Sequence, residues 1–146
     1  MNILFVCTGN TCRSPMAEAV AKSIFPKEGI EIRSAGINTG GEHGASENAV
    51  LAAAELGLDL KKHKPTQITL DLIKWADIIL TMTNGQKQAI AGACAELNVP
   101  VFTIAEYSGH GGEEVPDPYG CGLDIYEDCI ITLKKYIAEI ADILMK

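Results

Sequence analysis

A chain of 146 residues, 47% apolar and 21% charged, has the length and composition of one globular domain spanning residues 1–146. Its formal net charge of −7 argues against a nucleic-acid partner, because such a surface repels phosphate backbones. No apolar run approaches a membrane span and no basic segment precedes an apolar stretch near Met1, so no membrane contact and a cytoplasmic location are expected.

The elements alternate along the chain. Asn2–Val6 reads as a first strand ending at Cys7, and Ser14-Pro15 supplies a cap and first position for a helix from Pro15 to Phe25. Met16, Val20 and Ile24 share one face of that helix. A short strand follows near Ile30–Arg33, then a helix from Glu47 to Leu56, capped by Ser46 and stopped by Gly57. The basic run Lys61-Lys62-His63-Lys64 reads as a solvated helix end. A short helix over Leu70–Trp75 precedes Asp77–Met82, a nearly continuous apolar strand of the kind buried on both faces. A helix over Gln86–Leu97, a strand Val101–Thr103 and a last helix from Asp124 to Leu144 complete the order. In that last helix Cys129, Leu133, Ile137, Ile140 and Leu144 form the core stripe. Such alternation predicts an α/β single domain: an open, parallel, four-stranded sheet with helices on both faces and right-handed crossovers. Ligands in such sheets bind outside the carboxyl ends of the strands, which is where Cys7 falls.

The segment Cys7-Thr8-Gly9-Asn10-Thr11-Cys12-Arg13 carries the chemistry. A strand end, a glycine-containing turn and a helix start aim successive backbone N–H groups at one point and make an anion site. The helix dipole and Arg13 both stabilise a thiolate there, and a guanidinium grips two phosphate oxygens while sulfur attacks phosphorus. The bare cysteine-to-arginine spacing is weak as a signal, and a buried, inert Cys7 is the competing reading. The strand end, Gly9 and Ser14-Pro15 together favour a cysteine-dependent phosphatase. A Walker loop is excluded because no lysine closes the turn, and a dinucleotide fingerprint because Gly9 stands alone. No metal and no cofactor are expected. Five cysteines, with Cys7 and Cys12 needed as free thiols, fit a reducing compartment.

A departing group needs a proton, and Asp117 is the candidate donor. Pro116 and Pro118 restrict its backbone, while Gly111, Gly112 and Gly120 let the segment approach a ligand. A plain Asp-Pro-Tyr-Gly turn is the alternative; beside the cysteine loop, the acid is the better reading.

These motifs, with Ser34-Ala35-Gly36 after the second strand, resemble the low-molecular-weight protein tyrosine phosphatases over nearly the whole chain. The resemblance implies a flavodoxin-like fold with Cys7 as nucleophile and Arg13 as phosphate clamp. Asp117 is then acid and later base, and Ser14 the hydrogen-bond donor to sulfur. It implies a phosphate-binding loop of Thr8, Gly9, Asn10, Thr11, Cys12 and Arg13, supported through Asn10 by Ser34 and His63. Cys12 becomes a thiol able to form a disulfide with Cys7 under oxidation. Phosphorylated proteins are the implied partners. One departure stands out: Thr11 occupies a position that is usually isoleucine in the tyrosine enzymes and is threonine in the similar bacterial protein arginine phosphatases. Gly120 after Tyr119 points the same way, so Thr11 and Tyr119 are the expected specificity positions and phosphoarginine the expected substrate. Phosphotyrosine is the alternative. A thiol-relay arsenate reductase is disfavoured because Cys94, Cys121 and Cys129 are scattered and Asp117 would be surplus.

Overall fold

Four strands pair in parallel in the computed structural model, which describes residues 1–41 and 43–146. They are β1 (Asn2–Cys7), β2 (Glu31–Gly36), β3 (Ile78–Thr81) and β4 (Val101–Thr103), in the order β2-β1-β3-β4. Alternation along β1 divides the core in two. Ile3, Phe5 and Cys7 face α1 (Arg13–Ile24), α2 (Glu47–Glu55) and the long C-terminal helix, whereas Leu4 and Val6 face α3 (Leu70–Trp75) and α4 (Asn84–Glu96). Both layers are apolar, and each fully buried side chain such as Phe5 or Leu4 contributes roughly 1.5–3 kcal/mol.

The chain leaves β1 toward β2 on one side and returns to β3 on the other. That reversal parts the loops after β1 and β3 and opens a crevice at the carboxyl end of β1. The expected parallel sheet with helices on both faces is therefore present, and it has the flavodoxin-like strand order.

Several boundaries differ from expectation for local reasons. Helix α1 starts at Arg13, with Cys12 at the N-cap and no side-chain cap. Ser14 does not cap it, because its hydroxyl is turned to Cys7 instead. Strand β2 runs on through Ser34, Ala35 and Gly36, small residues of low strand propensity that pair beside Phe5, Val6 and Cys7. Helix α4 opens two residues early because Thr83 and Gln86 form a capping box. A second box, Thr103 with Glu106, starts the unexpected one-turn α5 (Ile104–Tyr107) directly after β4. The last helix, α6 (Leu123–Leu144), buries Cys129, Leu133, Ile137 and Ile140 and packs across α1 and α2. Leu144 and Ile24 lie only at the margin of that core. The Lys61–Lys64 run ends no helix; it follows a turn beyond α2, and His63 points inward. None of the described helices is long and apolar enough to cross a membrane.

Gly36 is where the sheet meets the cysteine loop. A Cβ there would stand 2.8 Å from the Thr8 carbonyl oxygen and 2.9 Å from the Gly9 carbonyl carbon, both backbone atoms. Gly36→Ala must therefore displace the loop, and overpacking of this kind costs about 1–3 kcal/mol. The variant should show a lowered denaturation midpoint together with weaker inorganic phosphate binding. Wild-type values of both would contradict the close packing.

Candidate active site

Strand β1 delivers Cys7 to the crevice with its side chain nearly buried, and residues 8–12 then turn back to start α1. The turn closes at Asn10, whose φ of 57° lies in the left-handed region that asparagine tolerates better than most residues. Asn10 is 0% exposed, and its polar groups are all engaged. Its N–H points at Cys7 Sγ, 3.2 Å away, and its Oδ1 accepts from the Thr66 N–H at 2.8 Å. Nδ2 donates to Ser14 Oγ at 2.8 Å and to Ser34 Oγ at 3.0 Å.

The Thr66 N–H fixes which end of the amide is oxygen, and this sets the remaining directions. Ser14 Oγ accepts from Asn10, so its own proton is available to Cys7 Sγ at 2.8 Å; the alternative acceptor, the Ala35 carbonyl, is at 3.5 Å. Ser34 Oγ likewise accepts from Asn10 and donates to Glu18 Oε1 at 2.5 Å. A thiolate at Cys7 thus receives both the Ser14 hydroxyl and the Asn10 N–H. His63 is placed against the same hub, its Nε2 2.8 Å from the Asn10 carbonyl oxygen rather than the side chain. The loop is pinned from outside by Asn38 N–H to the Thr8 carbonyl at 2.9 Å and Ser46 N–H to the Thr11 carbonyl at 2.8 Å.

Arg13 is buried, with Nη1 donating to the Val115 carbonyl at 3.0 Å. Its Nη2 lies 3.7 Å from Asp117 Oδ2, and the Asp117 side chain is 56% exposed. Asp117 Oδ1 accepts from the Tyr119 N–H at 3.1 Å, which braces the carboxylate within its own turn. Cys7, Gly9, Thr11 and Arg13 line a cleft of about 290 Å³, with Asp117 and Tyr119 on its rim. A larger cleft, about 410 Å³, runs along Phe25, Ile30 and Arg33 at the other end of β2 and is lined by no cysteine.

The five cysteines are free thiols in distinct settings. Cys12 Sγ donates to Ser46 Oγ at 3.3 Å and lies 3.4 Å from the Tyr126 hydroxyl. Burial, then the contact with Cys12, pushes the Tyr126 phenol up to about 12. Burial raises the Cys94 thiol and pushes that of Cys129 up to about 12, whereas Cys121 is exposed. Of the expected residues, Cys7, Thr8, Gly9, Thr11, Cys12, Arg13, Asp117 and Tyr119 line this crevice; Asn10 and Ser14 are buried behind the loop, and Ser34 and His63 line a separate cleft. Sequence reasoning missed Glu18, Thr66, Gln86 and Val115. Only Gln86 left a readable signal, the Thr-x-x-Gln capping pattern.

The family described as low molecular weight phosphotyrosine protein phosphatase matches residues 2–146 of this chain. A protein-arginine-phosphatase of Bacillus subtilis (strain 168) is 40% identical over 148 residues, spanning 100% of this chain and 98% of that one. The low molecular weight protein-tyrosine-phosphatase PtpB of Staphylococcus aureus is also 40% identical, over 144 residues and 99% of each chain. Among solved structures, the YwlE arginine phosphatase in a mutant with a phosphorylated active site serine superposes with a TM-score of 0.93. It shares 40% identity and covers 100% of this chain and 97% of that one.

Thiol chemistry follows from burial. Iodoacetamide near neutral pH should label Cys121 in the folded protein and leave Cys94 and Cys129 unmodified, because their thiolates are disfavoured and shielded. Peptide mass mapping before and after denaturation checks this; early labelling of Cys129 would refute the packing beneath the loop.

Proposed function

The chain belongs to the low molecular weight phosphotyrosine protein phosphatase family, and from that premise we propose that it hydrolyses phosphoarginine in proteins through a phosphocysteine on Cys7. It is a phosphoprotein phosphatase. In the first displacement the Cys7 thiolate attacks phosphorus and the phosphorus–nitrogen bond breaks. Asp117 gives its proton to the departing nitrogen, so that arginine leaves as a guanidinium. In the second, Asp117 as carboxylate takes a proton from water while the water oxygen attacks phosphorus and the sulfur–phosphorus bond breaks, releasing phosphate. The loop N–H groups and Arg13 hold the equatorial oxygens through both steps. The Ser14 hydroxyl, aimed at sulfur by Asn10, eases the departure of the thiolate. The relative whose active-site serine carries phosphate supports the covalent step.

Thr11 is the observation that carries the arginine reading. The loop backbone grips a phosphoryl group alike whatever bears it, so discrimination falls to the walls around the leaving group. Thr11 lines the same cleft as Asp117 and Tyr119, offering a short hydroxyl-bearing wall in a cleft that also holds a carboxylate. That pairing suits a flat, cationic guanidinium. Phosphotyrosine is the second reading, favoured by Tyr119, whose ring is 71% exposed at the rim and available to an aromatic substrate. A thiol relay is poorly served by Cys94 and Cys129, both buried. Within the loop, Cys12 is the thiol read as able to form a disulfide with Cys7 under oxidation, and a reducing cytoplasm would keep the nucleophile free.

Cys7→Ser should abolish turnover while phosphate still binds; appreciable hydrolysis by that variant would move the nucleophile elsewhere. Kinetics of phosphoarginine and phosphotyrosine on one sample test the substrate. Thr11→Ile should then lower the phosphoarginine-to-phosphotyrosine ratio of kcat/KM by about ten- to two-hundred-fold, the usual worth of a pocket wall altered by a methylene. An unchanged ratio would return the tyrosine reading.

A further inference from the structure

We propose that Gln86 is a positioning residue that holds the acid-bearing loop in register with the phosphate loop through Thr8. It rests on the reading of Asp117 as proton donor but concerns a residue outside the loop and the acid turn. Gln86 sits in the first turn of α4 and is 5% exposed. A capping glutamine ordinarily needs only its oxygen, directed to the backbone at the N-cap. Here Oε1 accepts from both the Met82 N–H at 2.9 Å and the Thr83 N–H at 3.1 Å, and Nε2 donates to Thr8 Oγ1 at 3.1 Å.

That last bond closes a ring. Thr8 follows the nucleophile, and Gln86 ties it to Met82 after β3. The Met82 carbonyl accepts from the Val115 N–H at 3.1 Å, and the Val115 carbonyl accepts from Arg13 Nη1 at 3.0 Å. Arg13 ends the same loop that Thr8 begins. Val115 lies two residues before Asp117, so the ring joins both ends of the phosphate loop to the base of the acid segment. Among the described residues, the Asp117 side chain is held by its own turn and by Arg13 at 3.7 Å. Its distance from the transferred phosphoryl group therefore depends on where Val115 stands. Val115 is registered against the loop through Arg13 on one side and through Met82 on the other, where Gln86–Thr8 adds to the 3.3 Å contact of Met82 N–H with the Val6 carbonyl and to the Glu114–Asn84 N–H bond at 2.6 Å. Cutting the second link leaves the phosphate cradle standing but lets the acid drift, and errors of about an ångström cost up to roughly a hundredfold in a positioned step.

The test separates a drifting acid from a weakened fold by leaving-group sensitivity. Gln86→Leu removes the amide, and Thr8→Val cuts the ring at its other end without touching the capping box. Folded variants, checked by thermal denaturation, are assayed with a phosphorylated amino acid and with p-nitrophenyl phosphate, whose leaving group needs no proton. For each variant kcat/KM, which reports the first displacement, should fall about tenfold further on the phosphorylated amino acid than on p-nitrophenyl phosphate. In an Asp117→Asn background that extra loss should vanish, because no acid remains to misplace. Equal losses on both substrates, or an extra loss that persists without Asp117, would overturn the role of Gln86. Asp117→Asn alone tests the acid: if it shows no leaving-group dependence, the proton-donor reading fails independently of Gln86. Should Gln86→Leu not fold, Thr8→Val decides the matter by the same two comparisons.

Discussion

The amide of Asn10 is the constraint on which the site depends. A loop that directs its N–H groups inward must reverse within a few residues, and the reversal is made at a left-handed, solvent-free position. Glycine would satisfy the backbone but would leave the Thr66 N–H, Ser14 and Ser34 without their shared partner. Ser14 and Ser34 would keep Cys7 and Glu18 as partners, but the bonds that join both to Thr66 through one amide would be lost, each worth about 0.5–1.5 kcal/mol. Asparagine meets the conformational and the hydrogen-bonding demand together. Because its oxygen is claimed by a backbone donor, its two hydrogens are committed to the serines, and the proton of Ser14 is left facing sulfur. The chemistry at Cys7 is thus oriented by the backbone N–H of Thr66, which lies beyond β2 in the chain order.

The sheet supplies the rigidity that this hub needs. Gly36 lets β2 lie directly beneath Thr8 and Gly9, and the bonds from Ile37 and Asn38 to the carbonyls of Cys7 and Thr8 continue the ladder into the loop. Thr66 is fixed in turn, because its carbonyl accepts from the Gly36 N–H at 2.8 Å. A reactive loop of this kind is therefore an extension of an interior parallel strand, which explains why it sits at the carboxyl end of β1 beside the strand-order reversal.

What was legible in the sequence follows from which interactions are local. The periodicity of β1, β3 and α6, the Ser46 cap and the cysteine loop are encoded in neighbouring residues and were read nearly to the residue. The C-terminal half of β2 was missed because Ser34-Ala35-Gly36 is chosen for close approach to the loop, not for strand propensity. The helix start at Ser14-Pro15 was misplaced because the hydroxyl serves sulfur in place of a cap. Ser34 and His63 were reached through family resemblance, since no spacing connects them to Asn10. Glu18, Thr66 and Val115 act through a carboxylate or the backbone across 16 to 102 positions, a kind of contact that leaves no pattern.

An anion site in a chain of net charge −7 needs its cation left unneutralised. Arg13 achieves this by its choice of partners. Its buried guanidinium is satisfied by a carbonyl dipole, that of Val115, which supplies a hydrogen-bond acceptor but no full negative charge. Among the described residues the one carboxylate within 4 Å is Asp117, and it stands at 3.7 Å on the solvent side, where screening weakens the pair. A buried aspartate in place of the Val115 carbonyl would hold Arg13 as well but would cancel the charge that a phosphoryl group must meet. The same geometry lets one carboxylate serve two ends. Asp117 is near enough to Arg13 to be drawn over the crevice, and exposed enough that, in the proposed mechanism, the attacking water of the second displacement can reach its carboxylate.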